Sequence, residues 1–133
     1  MKAPVLFRRA DLWLILFFAW FGTLWHLSSG PVEVKTGWEI PHFDKVCHFG
    51  YFFGGSGLIS ACLYRLSHRA PDWAKLLALV MLIMTSVGAL DEWHQSWVPA
   101  RSGNDALDLC ADVLGSLAGF CVFRRLHRWV SEN

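Results

Sequence analysis

The stretch DALDLCADVLGSLAGFCVF, residues 105–123, decides how the chain is read. Its uncharged run, 113–123, has eleven residues. A helix that crosses a bilayer needs about 20. The segment therefore crosses only if Asp108 and Asp112 go in with it. Asp105, Asp108, Asp112, Gly115 and Gly119 follow at spacings of three and four, which puts them on one helical face. Ionisable groups in a lipid-spanning helix are costly, so such a face turns into a bundle interior and marks a functional site.

Two further segments repeat the pattern. One carries Asp44, His48, Tyr51 and Gly55 on a face, the other Thr85, Gly88, Glu92 and Gln95. The 133 residues suggest a single domain, 1–133. With 54% hydrophobic residues, 17% charged and eight Trp, the class is a membrane protein. A formal net charge of +1 gives no bulk attraction to nucleic acid. The reading is an all-α, polytopic four-transmembrane-helix bundle with short loops, its spans at about 12–27, 46–66, 74–97 and 105–123. A signal peptide competes for the first segment, because Lys2, Arg8 and Arg9 precede an apolar run. No clean small-residue cleavage pattern follows, and the other apolar segments need a membrane anyway. Gly30, Pro31, Gly37 and Pro41 mark the first loop, Pro71 the second, and Pro99 with Gly103 the third. A basic tail after Phe123 could continue as an interfacial helix through Trp129.

Nine of the twelve Lys and Arg residues fall on one side: Lys2, Arg8, Arg9, Arg65, Arg69, Lys75, Arg124, Arg125 and Arg128. The positive-inside rule then expects both termini in the cytoplasm and the acid-rich helix ends outside. Trp25, Trp38, Trp93 and Trp97 would form an outer aromatic belt, and Trp13, Trp73 and Trp129 an inner one.

The depth of the polar residues follows from helix rise. Counted from Arg124, Asp108 lies roughly 24 Å into a core of about 30 Å. Counted from Lys75 and from Arg65, Glu92 and His48 both come out at roughly 25 Å. The three should share a layer just inside the outer boundary, with Asp44, Gln95, Arg101 and Asp105 above it and Tyr51 and Asp112 below. Gly115-x-x-x-Gly119, and Gly50-x-x-x-Gly54 with Gly55 and Gly57, are expected to let helices approach closely.

Asp44-Lys45-Val46-Cys47-His48-Phe49 resembles the D-K-x-x-H-F signature of the VanZ-like family. Glu92-x-x-Gln95 followed by Pro99 and Arg101 resembles its E-x-x-Q-x-x-x-P-x-R stretch, and Asp108-x-x-x-Asp112-x-x-Gly115-x-x-x-Gly119 its last helix, which commonly has Asn where Asp112 stands. His94, inside the second element, adds a candidate proton carrier. The resemblance spans 44–119. It implies a small integral protein of the bacterial inner membrane and a link to the glycopeptide teicoplanin, with no settled biochemical activity.

The expected ligand-binding set is Asp44, Lys45, His48, Tyr51, Glu92, Gln95, Arg101, Asp105, Asp108 and Asp112. Lys45 and Arg101 could hold a phosphate or carboxylate. Three chemistries stay open. The pocket could bind a lipid-linked or glycopeptide ligand. It could do acid–base chemistry with His48, Glu92 and Asp108 as catalytic candidates. It could pass protons or a small solute. No cofactor is expected, although His48, Glu92, Asp108 and Asp112 could supply mixed N/O ligands to a divalent metal. Membrane lipids are the expected surroundings, no nucleic acid partner is, and an oligomer stays open. Asp91 lies about 100° off the Glu92 stripe and is expected to pair structurally, facing segment one near His26, with snorkelling outward as the alternative. Ser56 and Ser60 are expected to pack or bond to backbone, and no G-x-S-x-G element is present. Cys47, Cys62, Cys110 and Cys121 read as apolar filler, with a Cys47–Cys110 disulfide left open.

Overall fold

The computed structural model describes residues 5–30, 42–67, 71–99 and 101–131. Lys2, Pro31, Lys35, Gly37, Trp38, Pro41, His68, Arg69, Ala100 and the side chain of Trp129 lie outside the described residues. A short 3₁₀ turn, Val5–Arg8, leads into α1 (Ala10–Ser28), α2 (Phe43–Leu66), α3 (Trp73–Gln95) and α4 (Ala106–Ser131). Among the described residues there is no strand, and all four helices are long and apolar enough to cross a membrane.

The burial pattern suits a multi-pass membrane protein. Ile15, Leu82 and Leu114 are more than half exposed, while Ser56, Ser60, Asp91, Asp112 and Ser116 are 1% exposed or less. In a membrane, apolar side chains face hydrocarbon and polar ones turn into the bundle. A smaller apolar core of Phe52, Val80, Met84 and Phe120 fills the middle.

Helix starts follow local chemistry. Asp72 caps α3 by accepting from the backbone N–H groups of Ala74 and Lys75, both at 3.1 Å. Asp105 caps α4 by accepting from Leu107 N–H at 2.8 Å. The fourth helix does not stop near Phe123; α4 runs on unbroken to Ser131, so the basic tail belongs to it. Its last turns are held by aromatic packing of Tyr64, Trp73, Phe123 and His127, with the Arg124 guanidinium over the Trp73 ring. Cations at a helix C-terminus are also favoured by the helix dipole.

The tightest helix pair is α2 against α4. A Cβ at Gly115 would land on the Phe49 carbonyl, and one at Gly119 on the Phe53 carbonyl, so backbone touches backbone there. Ser56 adds an interhelical hydrogen bond to the Ser116 carbonyl at 2.6 Å. The expectation for Gly50, Gly54 and Gly57 fails: a Cβ at any of them meets nothing within 4 Å. The reason is rotation. The α4-facing side of α2 carries Phe49, Phe53 and Ser56, and each of these glycines sits one residue, about 100°, further round. Gly55 instead receives Trp20 of α1. Trp20 and Tyr51 bond reciprocally, indole N–H to the Tyr51 carbonyl at 3.1 Å and phenol O–H to the Trp20 carbonyl at 2.9 Å.

All four cysteines are free, and only Cys62 is buried. Cys47, Cys110 and Cys121 lie on exposed helix surface, so they fill no core.

Candidate functional site

One end of the bundle gathers the basic residues and their aromatic cluster. The other gathers the C-termini of α1 and α3 with the N-termini of α2 and α4, and there the acids meet. The turn between α3 and α4 closes this end. Glu92 Oε2 accepts from Asp105 N–H at 2.7 Å, and the Glu92 carbonyl accepts from Asn104 N–H at 3.3 Å. Asn104 makes the corner in the left-handed region, with φ 63°. A side chain deep on α3 thus sets the start of α4.

Lys45 occupies the centre of three carboxylates. Its Nζ donates to Asp44 at 2.7 Å, Asp105 at 3.0 Å and Asp108 at 2.7 Å. Asp105 lies just outside the spans; the hydrogen bond from Lys45, and then that from Leu107 N–H, hold its carboxyl below the usual carboxylate range. One turn further along α2, His48 sits between two acids of α4. Its Nδ1 is 2.9 Å from Asp112 Oδ1, and its Nε2 is 4.0 Å from Asp108 Oδ2. His48, Glu92 and Asp108 each present a ligand-type atom, all within 4.8 Å of one another. The layer inferred from helix rise is therefore a physical cluster. Two buried carboxylate oxygens in it, Glu92 Oε1 and Asp112 Oδ2, have no hydrogen-bond partner among the described residues. Asp112 Oδ2 lies over Gly88, where a Cβ would come within 2.9 Å of it. Glycine on α3 leaves room for that carboxylate.

Beside the cluster a cavity of about 420 Å³ opens between α1, α2 and α3. Leu24, Leu27, Phe43 and Phe52 give it apolar walls, and Ser28, Asp44, His48, Tyr51, Asp91, Gln95 and Arg101 its polar groups. Asp91 pairs toward α1, as its position off the Glu92 stripe leads one to expect, but it also enters the site, which that position did not indicate. It is 1% exposed, accepts from Ser28 of α1 and from Gln95 at 2.8 Å, and faces the cavity. The usable signal was the Asp91–Gln95 spacing of four on a helix, which makes neighbours of the two. Ser28, not His26, is the polar contribution of α1; His26 is exposed. His94 turns away from the cluster and stacks on Trp25 with ring centroids 3.9 Å apart.

The expected anion holders are otherwise engaged. Lys45 is committed to three acids, and Arg101 donates to the Leu27 and Gly30 carbonyls, both at 2.8 Å, closing the C-terminal end of α1. Of the ten expected ligand-binding residues, Asp44, His48, Tyr51, Gln95 and Arg101 line the cavity. Lys45, Glu92, Asp105, Asp108 and Asp112 make up the ionic cluster behind it. His48 belongs to both.

Comparison with protein-family models, with curated proteins and with solved structures finds no match to this chain.

Proposed function

We propose that the chain is a multi-pass protein of the bacterial inner membrane, both termini cytoplasmic, that binds the polar headgroup of a lipid-linked envelope ligand. The observation that carries this reading is the cavity of about 420 Å³ whose lining mixes apolar side chains with hydrogen-bonding ones. Such a mixture suits an amphipathic ligand. With Lys45 and Arg101 engaged, the lining favours a headgroup rich in donors, such as sugar hydroxyls or amines, over a bare anion. Asp91 and Asp44 offer carboxylate acceptors. The orientation rests on the excess of Lys and Arg at the opposite end. The resemblance to VanZ adds teicoplanin tolerance as the phenotype to follow.

A second reading is chemistry on that headgroup. It is favoured by one contact, Asp112 against His48 Nδ1, which orients an imidazole at the cavity wall.

Native mass spectrometry of the chain in nanodiscs doped with a polyprenyl-linked saccharide tests the binding reading. One saccharide lipid should stay bound, and Asp91→Leu or Tyr51→Ala should weaken its retention at least tenfold. If an ordinary phospholipid is retained as well as the saccharide lipid, the reading is wrong.

A further inference from the structure

The acid-rich end contains two groups of three ligand-type residues, and they differ in one respect. Asp44, Asp105 and Asp108 surround Lys45 Nζ, so their cation is already supplied by the chain. In the group His48, Glu92 and Asp108, Lys45 reaches only Asp108 Oδ1, and among the described residues no Lys or Arg is bonded to Glu92 or to Asp108 Oδ2. Glu92 and Asp108 are 4% and 5% exposed, and Glu92 Oε1 is buried with no partner among the described residues. A carboxylate oxygen in that position, at the level of a lipid bilayer, calls for a positive charge.

We propose that His48, Glu92 and Asp108 form a seat for a divalent first-row transition-metal ion, with Asp112 orienting His48 from behind. By elimination the ligating atoms would be His48 Nε2, Asp108 Oδ2 and Glu92 Oε1. Their other atoms are already spoken for: His48 Nδ1 faces Asp112, Asp108 Oδ1 accepts from Lys45, and Glu92 Oε2 accepts from Asp105 N–H. The Nε2 to Oδ2 separation of 4.0 Å is too long for a hydrogen bond. It is about half an ångström wider than the roughly 3.3–3.6 Å that metal–ligand bonds of about 2.0–2.2 Å give neighbouring ligands in a tetrahedral shell. The widest separation in the group, within 4.8 Å, must contract by up to about 1.3 Å when the ion draws the three side chains in. A carboxylate on the far nitrogen of a metal-bound histidine fixes its tautomer and raises its basicity, which is the place Asp112 holds. Imidazole with two carboxylates selects zinc, manganese, iron or cobalt over magnesium and calcium, which take oxygen ligands. Three protein ligands leave an open coordination position.

The seat stands whether or not the cavity takes a headgroup, and its test needs no lipid ligand. The full chain is purified in detergent, stripped with chelator and titrated with Zn²⁺ by calorimetry and with Co²⁺ by visible absorption. Wild type should bind one equivalent of each, and Zn²⁺ should raise its unfolding temperature. His48→Ala and Glu92→Gln should weaken binding at least a hundredfold and abolish that rise. Asp112→Asn should weaken it tenfold to a hundredfold, and Asp11→Asn, at the basic end, should change nothing. X-ray absorption on zinc-loaded wild type reports an imidazole ligand without any variant, should His48→Ala fail to fold. The proposal is overturned if wild type binds neither ion, if both weakening variants bind as wild type does, or if the bound zinc lacks an imidazole.

Discussion

Gly115→Ala should destabilise the bundle by about 3 kcal/mol, an amount set by two terms. The new Cβ would overlap the carbonyl oxygen of Phe49 and crowd its C and Cα atoms, all of them backbone. No rotamer relieves a clash between two main chains. Overpacking of this kind costs about 1–3 kcal/mol. To restore ordinary contact distance α2 and α4 must part by roughly 1 Å. His48 precedes Phe49 by one residue and Asp112 precedes Gly115 by three, so the same parting stretches their 2.9 Å contact. A hydrogen bond to a charged group is worth about 1.5–3 kcal/mol, and most of it goes at that distance. The control lies on the facing helix. Gly50→Ala and Gly54→Ala add a Cβ that meets nothing within 4 Å. There alanine's better helix propensity, about 0.5–1 kcal/mol, should leave stability unchanged or slightly raised. Unfolding in mixed micelles by SDS titration, followed by helical circular dichroism and Trp fluorescence, gives all three midpoints. If Gly115→Ala and Gly50→Ala unfold at the same SDS fraction, backbone contact does not hold α2 to α4.

Two further outcomes are expected. Lys45→Met leaves Asp44, Asp105 and the buried Asp108 without their shared cation, at a cost of about 3 kcal/mol, the low end for a broken buried pair because the Lys45 side chain keeps 19% exposure. Adding Asp108→Asn should recover part of that loss in the same SDS titration, whereas an additive double mutant would refute the pairing. Arg101→Ala removes two hydrogen bonds to the end of α1 and should cost about 1–2 kcal/mol. Its signature is faster amide exchange over 24–30; unchanged exchange there would show that Arg101 does not hold that end.

What the chain determined alone was whatever depends on local geometry. Helical periodicity and a rise of about 1.5 Å per residue put His48, Glu92 and Asp108 at one depth on three inward faces. The structure has their ligand atoms within 4.8 Å. Three membrane-length helices followed from run lengths, and the fourth from counting Asp108 and Asp112 into its span. Rotation between helices is not a local quantity, and there the chain was silent or misleading. It could not tell that Gly115 and Gly119 touch backbone while Gly50 and Gly54 face away, because all four show the same G-x-x-x-G spacing. Nor could it assign cations to acids. Lys45 and Arg101 looked like anion holders, yet one is taken by three carboxylates and the other by two carbonyls. That Asp91 turns toward α1 was legible, but that its partner there is Ser28 and that the pair borders a cavity was decided by how α1 packs across α3. Depth along a helix is written into residue number, but which charge meets which is decided only when the helices are turned and packed.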